Sequence, residues 1–452
     1  MFRTSRNWTL VLTVFVLLTL VASACTSTAT PTPAPKAEPT KPAAAPTTAP
    51  AAPKTEAPKA EAPKPAAEAP KPAAAPAAAA KPAGKAIKFG ELEPMTGGLA
   101  VGGKMAAVAV QLAAEEINKT GGINGSPVEV VTLDTRADPK EAVTAFRKLV
   151  SEDVAGVIGP FSTGELRVVG PLSNEFKIPT LSHASSFGVA RENRPYVYQI
   201  NTQSPVWWPK GVDVFMKKYP QVKKVTLVRD NKYAAAQYDG QTLLPGLLKE
   251  KGLQVVGTAD YETGQKDWAV TATQIKEQGA AGIVVAGLYT DGPGMMKELE
   301  RLGYSGKMLL SPMFFQVNMV WTTPKILEGA VMPFWTDWTG PDPKLQGFVK
   351  SWTDKMMADP AVQKPPAGGY NWFPSHELTD YDALMAMADI SRKAGINGNT
   401  PAADARAKIQ AGYQNLKDFP GLVGKITVTK DGEVTWDTPV FIIENGAPKA
   451  IK

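Results

Sequence analysis

From Ile87 onward, short apolar segments alternate with amphipathic ones, and this alternation is the feature that most constrains the fold. Apolar runs of strand length, for example 87–92, 155–159 and 282–287, are separated by longer stretches with helical spacing. Gly, Pro, Asp and Ser fill the joints between them. Strands that alternate with helices form parallel sheets with helices on both faces. Because ligands of such sheets bind beyond the carboxyl ends of the strands, functional residues are expected there.

The same pattern gives boundaries for the regular elements. Strands are predicted over 87–92, 128–133, 155–159, 178–182, 197–200, 224–228, 254–259, 282–287, 307–311, 329–332, 425–429 and 439–443. Helices are predicted over 103–119, 139–151, 164–176, 206–219, 236–251, 267–279, 292–303, 343–357, 377–393 and 401–414. Two helix starts carry capping signals: Asp138 is followed by Pro139, and Ser162 is followed three residues later by Glu165.

The first 25 residues have the pattern of a secretory signal. Arg3 and Arg6 precede an uncharged apolar run over 8–21, which is shorter than the roughly 20 residues of a membrane-spanning helix. Cys25 is the only cysteine, so an intrachain disulfide is excluded. It lies where a bacterial lipoprotein carries its lipidated cysteine, although Ala22 replaces the usual leucine. We predict a lipoprotein signal over 1–25, and an ordinary signal peptide is the alternative.

Residues 26–86 are almost wholly Ala, Pro, Lys, Thr and Glu. Such a composition lacks the large apolar side chains of a core, so we predict a disordered, semi-rigid tether. Residues 1–86 carry six more basic than acidic residues, which accounts for the entire formal charge of +6. The remaining chain has no net charge and therefore no basic footprint for nucleic acid.

Several short motifs, in a fixed order, resemble those of one family. They occur at 90–97, 115–123, 134–139, 157–163, 178–182 and 421–436. In this order and spacing, behind a lipoprotein signal, the chain resembles the type I periplasmic binding proteins of the branched-chain amino-acid class. The resemblance covers nearly all of residues 87–452.

The resemblance implies two Rossmann-like, doubly wound lobes, joined by three hinge strands, with the ligand in the cleft between them. Carried over, the first lobe holds 87–202 and 333–421, and the second holds 203–332 and 422–452. The implied function is that of an extracytoplasmic, lipid-anchored receptor that delivers a small polar solute to the permease and ATPase of an ABC importer. No cofactor and no enzymatic activity are expected. A ligand-binding sensory module that signals in trans is the alternative.

In the first lobe the resemblance places a ligand carboxylate against hydroxyl and backbone N–H groups. The matching positions are Ser162, Thr163, Ala184, Ser185 and Ser186. A helix N-terminus with unpaired N–H donors suits an anion. For Ser162 an alternative is that its hydroxyl caps its own helix.

In the second lobe the resemblance implies contacts from Tyr233 and from Leu288 or Tyr289. Met313 stands where amino-acid binders of this class carry a glutamate that pairs the ligand's ammonium. Because burying an unpaired charge is costly, either Glu93 or Asp291 (or Glu91, beside Glu93) substitutes, or the ligand has no α-ammonium. The expected solute is therefore an amino acid, if another acid substitutes, or a different carboxylate or amide, which includes an aromatic one.

Tryptophans and histidines complete the candidates. Trp207 and Trp208 lie near one predicted hinge and Trp335 and Trp338 near another, where core packing competes with a cleft-wall role. His183 and His376 are the only histidines, so a histidine-rich metal site is not expected, and no metal is assigned. A Ser–His catalytic pair is not expected either, because no nucleophile-elbow motif surrounds His183.

Overall fold

The computed structural model describes residues 81–367 and 371–451. The predicted signal peptide, Cys25 and most of the predicted tether lie outside the described residues. Within the described ranges, no helix is long and apolar enough to cross a membrane.

The first lobe is built on a five-stranded sheet with the order β2-β1-β3-β4-β5, in which every pair of neighbours is parallel. Its strands are β1 (Ile87–Glu93), β2 (Val128–Asp134), β3 (Val157–Ile158), β4 (Thr180–Ser182) and β5 (Val197–Gln199). The helices between them are α1 (Ala100–Lys119), α2 (Pro139–Ser151), α3 (Thr163–Glu175) and α4 (Val189–Glu192).

The second lobe is built on a seven-stranded sheet with the order β14-β13-β10-β9-β8-β6-β7. Its parallel strands are β6 (Lys224–Asp230), β7 (Gln254–Tyr261), β8 (Gly282–Ala286), β9 (Lys307–Leu310) and β10 (Val331–Pro333). The helices up to β10 are α5 (Ser204–Lys218), α6 (Ala234–Gln237), α7 (Leu244–Glu250), α8 (Ala269–Glu277), α9 (Gly292–Arg301), α10 (Val317–Thr322) and α11 (Pro324–Leu327).

The chain then returns to the first lobe before it closes the second sheet. This segment contains α12 (Pro343–Ala358), α13 (Glu377–Lys393) and α14 (Ala402–Gln414), followed by a hairpin of β11 (Phe419–Gly421) and β12 (Gly424–Ile426). Helices α12 and α13 pack against α1. The antiparallel strands β13 (Val440–Glu444) and β14 (Ala447–Ile451) complete the second sheet beside β10. The exact lobe boundaries predicted from the resemblance remain a prediction.

The prediction of an α/β protein with parallel sheets is confirmed. The bounds of α2 and α13 match the predicted ones, and Asp138 caps α2 by accepting hydrogen bonds from the backbone of Lys140 and Glu141. The prediction of one helix over 236–251 was wrong, because a π-helical turn at Tyr238–Leu243 separates α6 from α7. The short elements α4, α10, α11, β11 and β14 were not predicted, since each is too short to show a period.

Trp207 and Trp208 are fully buried side chains of α5, and their ring centroids lie 4.9 Å apart. Beside them lies Asp239, in the π-helical turn, whose side chain is also fully buried. Burial raises the pKa of Asp239 to about 7, although contacts with Ser204 and Trp208 lower it in part. The core of the second lobe therefore holds a carboxyl group that favours its protonated form.

Replacing Asp239 should make stability less sensitive to pH. Since the folded chain binds the Asp239 proton more tightly than the unfolded chain, stability falls as the pH rises from the unfolded pKa towards about 7. Asp239→Asn should therefore gain about 2–3 kcal/mol in free energy of unfolding, relative to the parent, between pH 5 and pH 8. Urea unfolding at both pH values measures it. Asp404→Asn, at an exposed position of α14, is the control, and an equal difference at both pH values would contradict the prediction.

Candidate functional site

A cleft lies where the carboxyl ends of the two parallel sheets meet. It contains about 600 Å³ of empty space, part of it open to solvent, and the centre of a water molecule can reach only about 70 Å³ of it. The five parallel strands of the second sheet repeat the order of the first sheet, since β7-β6-β8-β9-β10 corresponds to β2-β1-β3-β4-β5. Ligand sites in such sheets lie beyond the carboxyl ends, at the point where the strand order reverses.

The first-lobe wall comes from loops that follow its strands and from two helices. Phe161 follows β3, and His183 and Ser185 follow β4, while Asn201 follows β5. The remaining members of this wall are Gly102 and Met105 of α1, with Ser375 and His376 just before α13.

The second-lobe wall follows the same rule. Tyr233 comes after β6, Leu288 and Tyr289 after β8, Met313 after β9 and Trp335 after β10. Pro312, Phe315 and Gln316 complete it. Among the described residues that line the cleft, none is Asp, Glu, Lys or Arg. The cleft is therefore walled mainly by aromatic and apolar groups.

Contacts across the cleft show that the two walls are closed on each other. The Ser185 hydroxyl lies 3.1 Å from the Met313 sulfur. Leu99 and Phe161 of the first lobe form an apolar cluster with Leu288 of the second. A Cβ at Gly102 would lie 2.7 Å from the Tyr289 hydroxyl, so this glycine permits the close approach of α1 to the opposite lobe.

Five of the nine ligand-binding residues named from the resemblance line this cleft: Ser185, Tyr233, Leu288, Tyr289 and Met313. The other four are buried beside it and do not line it: Ser162, Thr163, Ala184 and Ser186. The Ser162 hydroxyl accepts from the Glu165 backbone N–H, and Glu165 accepts from the Ser162 N–H, which is a capping box. The hydroxyls of Thr163 and Ser186 have no hydrogen-bond partner within the described ranges.

The three further candidates lie behind the walls. Glu93 is fully buried beneath the backbone of Gly159. Because Gly159 has a φ of 90° and no side chain, its backbone can lie close to the Glu93 carboxyl group. Asp291 precedes α9, and its carboxylate accepts the Gly264 N–H at 2.8 Å. Trp207 is fully buried in packing with Trp208. Trp335, by contrast, faces the cleft and lies edge-on to His376 at 5.5 Å between centroids.

Two buried amides hold the loop that carries Ser185. The Gln199 side-chain amide donates to the carbonyl oxygens of Ala184 and Ser186 and accepts from the Ala190 N–H. Asn201 donates to the carbonyl oxygen of His183 at 2.9 Å. These contacts fix the loop after β4 in one shape. The sequence analysis did not single out Gln199 or Asn201, and only their position at the carboxyl end of β5 gave a signal.

The structure brings the two histidines together, which the sequence analysis did not predict. Their ring centroids lie 4.6 Å apart, and His183 Nδ1 is 2.8 Å from an Asp380 carboxylate oxygen. Burial opposes the charged form of His183, but Asp380 outweighs burial and raises its pKa. Burial lowers the pKa of His376 well below the usual value, and His183 adds to this effect.

Buried carboxyl groups surround this histidine pair on the side away from the cleft. Burial raises the pKa of Glu91 and of Glu377 to about 7 each. Burial also raises the pKa of Glu93 well above its usual value, and repulsion from Asp380 and Glu91 adds to this rise. Because mutual repulsion and burial both favour the protonated forms of these carboxyl groups, they act as hydrogen-bond donors behind the floor of the cleft, which is formed by His183, His376 and Asp380.

The chain is similar in sequence to known proteins. A family model described as periplasmic binding protein matches residues 86–447. The chain belongs to this family. It is therefore a solute-binding protein, and membership implies a place outside the cytoplasm. A Leu/Ile/Val-binding protein homolog 7 of Brucella suis is 27% identical over 336 residues, which is 71% of this chain and 80% of the relative.

Two solved structures share the fold. The leucine-binding protein LivK of Thermotoga maritima has a TM-score of 0.67 at 22% identity, covering 81% of this chain and 98% of that one. A solute-binding protein of an ABC transporter from Rhodopseudomonas palustris, solved with 3,4-dihydroxy benzoic acid, has a TM-score of 0.69 at 18% identity, covering 81% and 96%. The expected type I periplasmic binding fold is confirmed.

The close approach at Gly102 predicts a variant that holds this binding protein open. In Gly102→Ala the new methyl group would meet the Tyr289 hydroxyl and the Phe161 ring, each at 2.7 Å, which should destabilise the closed form by about 1–3 kcal/mol. Small-angle X-ray scattering should then report a larger radius of gyration. Gly98→Ala is the control, because a Cβ there has no neighbour within 4 Å. Adding Tyr289→Phe should restore part of the closure, and a Gly102→Ala chain as compact as the parent would contradict the prediction.

Proposed function

We propose that this protein is the extracytoplasmic receptor of an ABC importer for a small planar solute that bears a carboxylate or amide and no α-ammonium. The observation that carries the proposal is the cleft lining. Five of its lining residues are aromatic and come from both walls: Phe161, Tyr233, Tyr289, Phe315 and Trp335. Aromatic walls favour a flat or aromatic occupant over a branched aliphatic one.

A few polar groups among these walls would orient such a solute. Ser185 and Ser375 offer hydroxyls, Asn201 and Gln316 offer amides, and Trp335 faces the cleft with an indole N–H that has no partner among the residues described. A mostly apolar pocket with a small number of placed polar groups is typical of small-molecule sites.

The absence of an acidic side chain from the described lining argues against an amino acid. An α-ammonium in the cleft would face Met313 where amino-acid binders of the class carry a glutamate, and Asp291 is engaged by Gly264. Burying an ammonium without a paired carboxylate costs several kcal/mol. The dihydroxybenzoic acid complex of the Rhodopseudomonas protein supports an aromatic carboxylate, since the same fold accommodates one.

The mechanism we propose is closure of the two lobes on the solute. The contacts between Ser185 and Met313 and within the Leu99, Phe161 and Leu288 cluster exist only when the walls meet. A solute that touches both walls stabilises this form by its higher affinity for it, and the closed receptor then docks on a permease coupled to an ATPase. The chain is proposed as a binding protein and not as an enzyme, in line with the binding proteins to which it is similar.

The proposal for the solute predicts which compounds stabilise the chain. Benzoate, 4-hydroxybenzoate or benzamide should raise the midpoint of thermal unfolding, whereas leucine and isoleucine should not. A solute at 100 times its dissociation constant adds about 2.7 kcal/mol of stability. Stabilisation by leucine alone would overturn the assignment of the solute class and restore a branched-chain amino acid.

Two variants at Met313 test the same site by calorimetry. Met313→Glu should weaken binding of an aromatic carboxylate at least tenfold, which is about 1.4 kcal/mol, because a buried negative charge would face the solute. Met313→Gln has nearly the same shape without the charge, so its loss should be clearly smaller. Equal losses in the two variants would show that shape at this position, and not charge, governs affinity.

We also propose that a lipid on Cys25 anchors the receptor to the outer face of the cytoplasmic membrane, with residues 26–86 as the tether. Cys25→Ser should move the protein from the membrane fraction to the soluble fraction after cell lysis, because no other cysteine can carry the lipid. Ser23→Ala is the matched control. Membrane association that persists in Cys25→Ser would contradict a lipid anchor at this position.

A further inference from the structure

The two histidines of the chain and one aspartate form a cluster on the floor of the cleft. His376 and Asp380 are four residues apart at the start of α13, so they lie on one face of that helix. His183 comes from the loop after β4, in the other part of the first lobe. One ligand atom from each residue lies within 4.8 Å of the other two.

Each member of the cluster keeps a buried polar atom without a partner in the described ranges. These atoms are His183 Nε2, His376 Nε2 and Asp380 Oδ2. His183 is 4% exposed, His376 9% and Asp380 0%. Leaving such atoms unsatisfied is costly, and buried polar groups in native proteins are as a rule satisfied. Unsatisfied atoms on three neighbouring side chains therefore indicate a missing ligand.

The charges around the cluster favour a cation as that ligand. Glu93 and Glu377 are fully buried close to it, and Glu377 Oε1 lies 3.5 Å from His376 Nε2. Within the described residues, Asp380 pairs with His183, and Glu377 lies beside His376. No lysine or arginine belongs to the described lining of the cleft. A cation at this point would therefore meet carboxyl groups and the two imidazoles, with no basic side chain of the cleft lining to repel it.

We propose that His183, His376 and Asp380 form a binding site for a divalent transition-metal ion with the preferences of Zn²⁺. Two imidazoles and one carboxylate are a typical ligand set for such an ion. Bonds of about 2.0–2.2 Å place ligand atoms roughly 3.3 Å apart, so the side chains must close by about 1–1.5 Å when the ion binds. His183 and His376 also line the cleft, which leaves the remaining coordination position facing the solute.

Such an ion would extend the receptor to solutes that chelate metals through oxygen. A carboxylate, or two adjacent oxygens on a ring, would complete the coordination sphere from the cleft side, while the aromatic walls hold the ring. The metal site does not rest on the proposed function, because metal binding is measurable without any solute.

Copper provides the sharpest probe, because His183 and His376 are the only histidines in the chain. The full chain, purified without a histidine tag and treated with a chelator, is titrated with Zn²⁺ by calorimetry and with Cu²⁺ by pulsed electron paramagnetic resonance. We expect one ion per chain and nitrogen couplings from two imidazoles. His376→Gln should leave one imidazole coupling and weaken Zn²⁺ binding at least tenfold, in line with the usual cost of losing a metal-site group.

Variants separate this result from a general loss of structure. Asp380→Asn keeps the helix and should weaken Zn²⁺ binding while retaining both imidazole couplings. Asp404→Asn, on the exposed face of α14, should bind like the parent. Circular dichroism of each metal-free variant checks that the fold is intact. If His376→Gln is folded, a Zn²⁺ affinity equal to that of the parent overturns the site, as does Cu²⁺ bound with no imidazole coupling.

The same preparation separates the two proposals. Stabilisation of the metal-free chain by aromatic carboxylates, together with no Zn²⁺ binding, would overturn the metal site and leave the proposed function supported. Zn²⁺ binding with two imidazoles, together with no stabilisation by any member of the solute panel, would support the metal site and count against the proposed solute class.

Discussion

The whole site depends on one topological constraint, which is that both parallel sheets direct the carboxyl ends of their strands to the same cleft. With two sheets whose five parallel strands follow one order, the loops after β3, β4 and β5 face the loops after β6, β8, β9 and β10. Loops of this kind are free to vary because the sheets carry the fold. The frame therefore sets where a solute binds, and the loops set which solute binds.

Ionisable groups are buried at the floor of the cleft at a cost in free energy. The pair between His183 and Asp380 ties the loop after β4 to α13, so the helices that return late in the chain become part of the binding wall. Neighbouring carboxyl groups are held away from water, and the pKa values of Glu91 and Glu377 rise to about 7 as a result. Ionisable groups with pKa values shifted this far are typical of functional sites, since burying them adds nothing to the packing of the core.

The sequence predicts the helices and strands well and the histidine cluster on the floor of the cleft poorly, for physical reasons. The periods of α2 and α13 and the capping box at Ser162 are local, so they are readable from neighbouring residues. Positions directly after strands were also readable, because topology alone brings Ser185 and Met313 to one cleft. The meeting of His183 with His376 depends on how the late helix α13 packs against the first sheet. No local pattern encodes a contact across nearly two hundred residues.

The position of Met313 and the histidine cluster bear on one question, which is how a cleft without a charged wall selects its solute. A glutamate in place of Met313 would neutralise an ammonium but would repel a carboxylate at the same spot. The Met313 sulfur contacts the Ser185 hydroxyl instead, so this part of the second-lobe wall is neutral. Charge recognition is then left to the floor, where His183 and His376 present unpaired nitrogens among the residues described. In the function proposed above, a flat solute with its polar end against His183 and His376 would lie between Trp335 and the tyrosines and contact both walls.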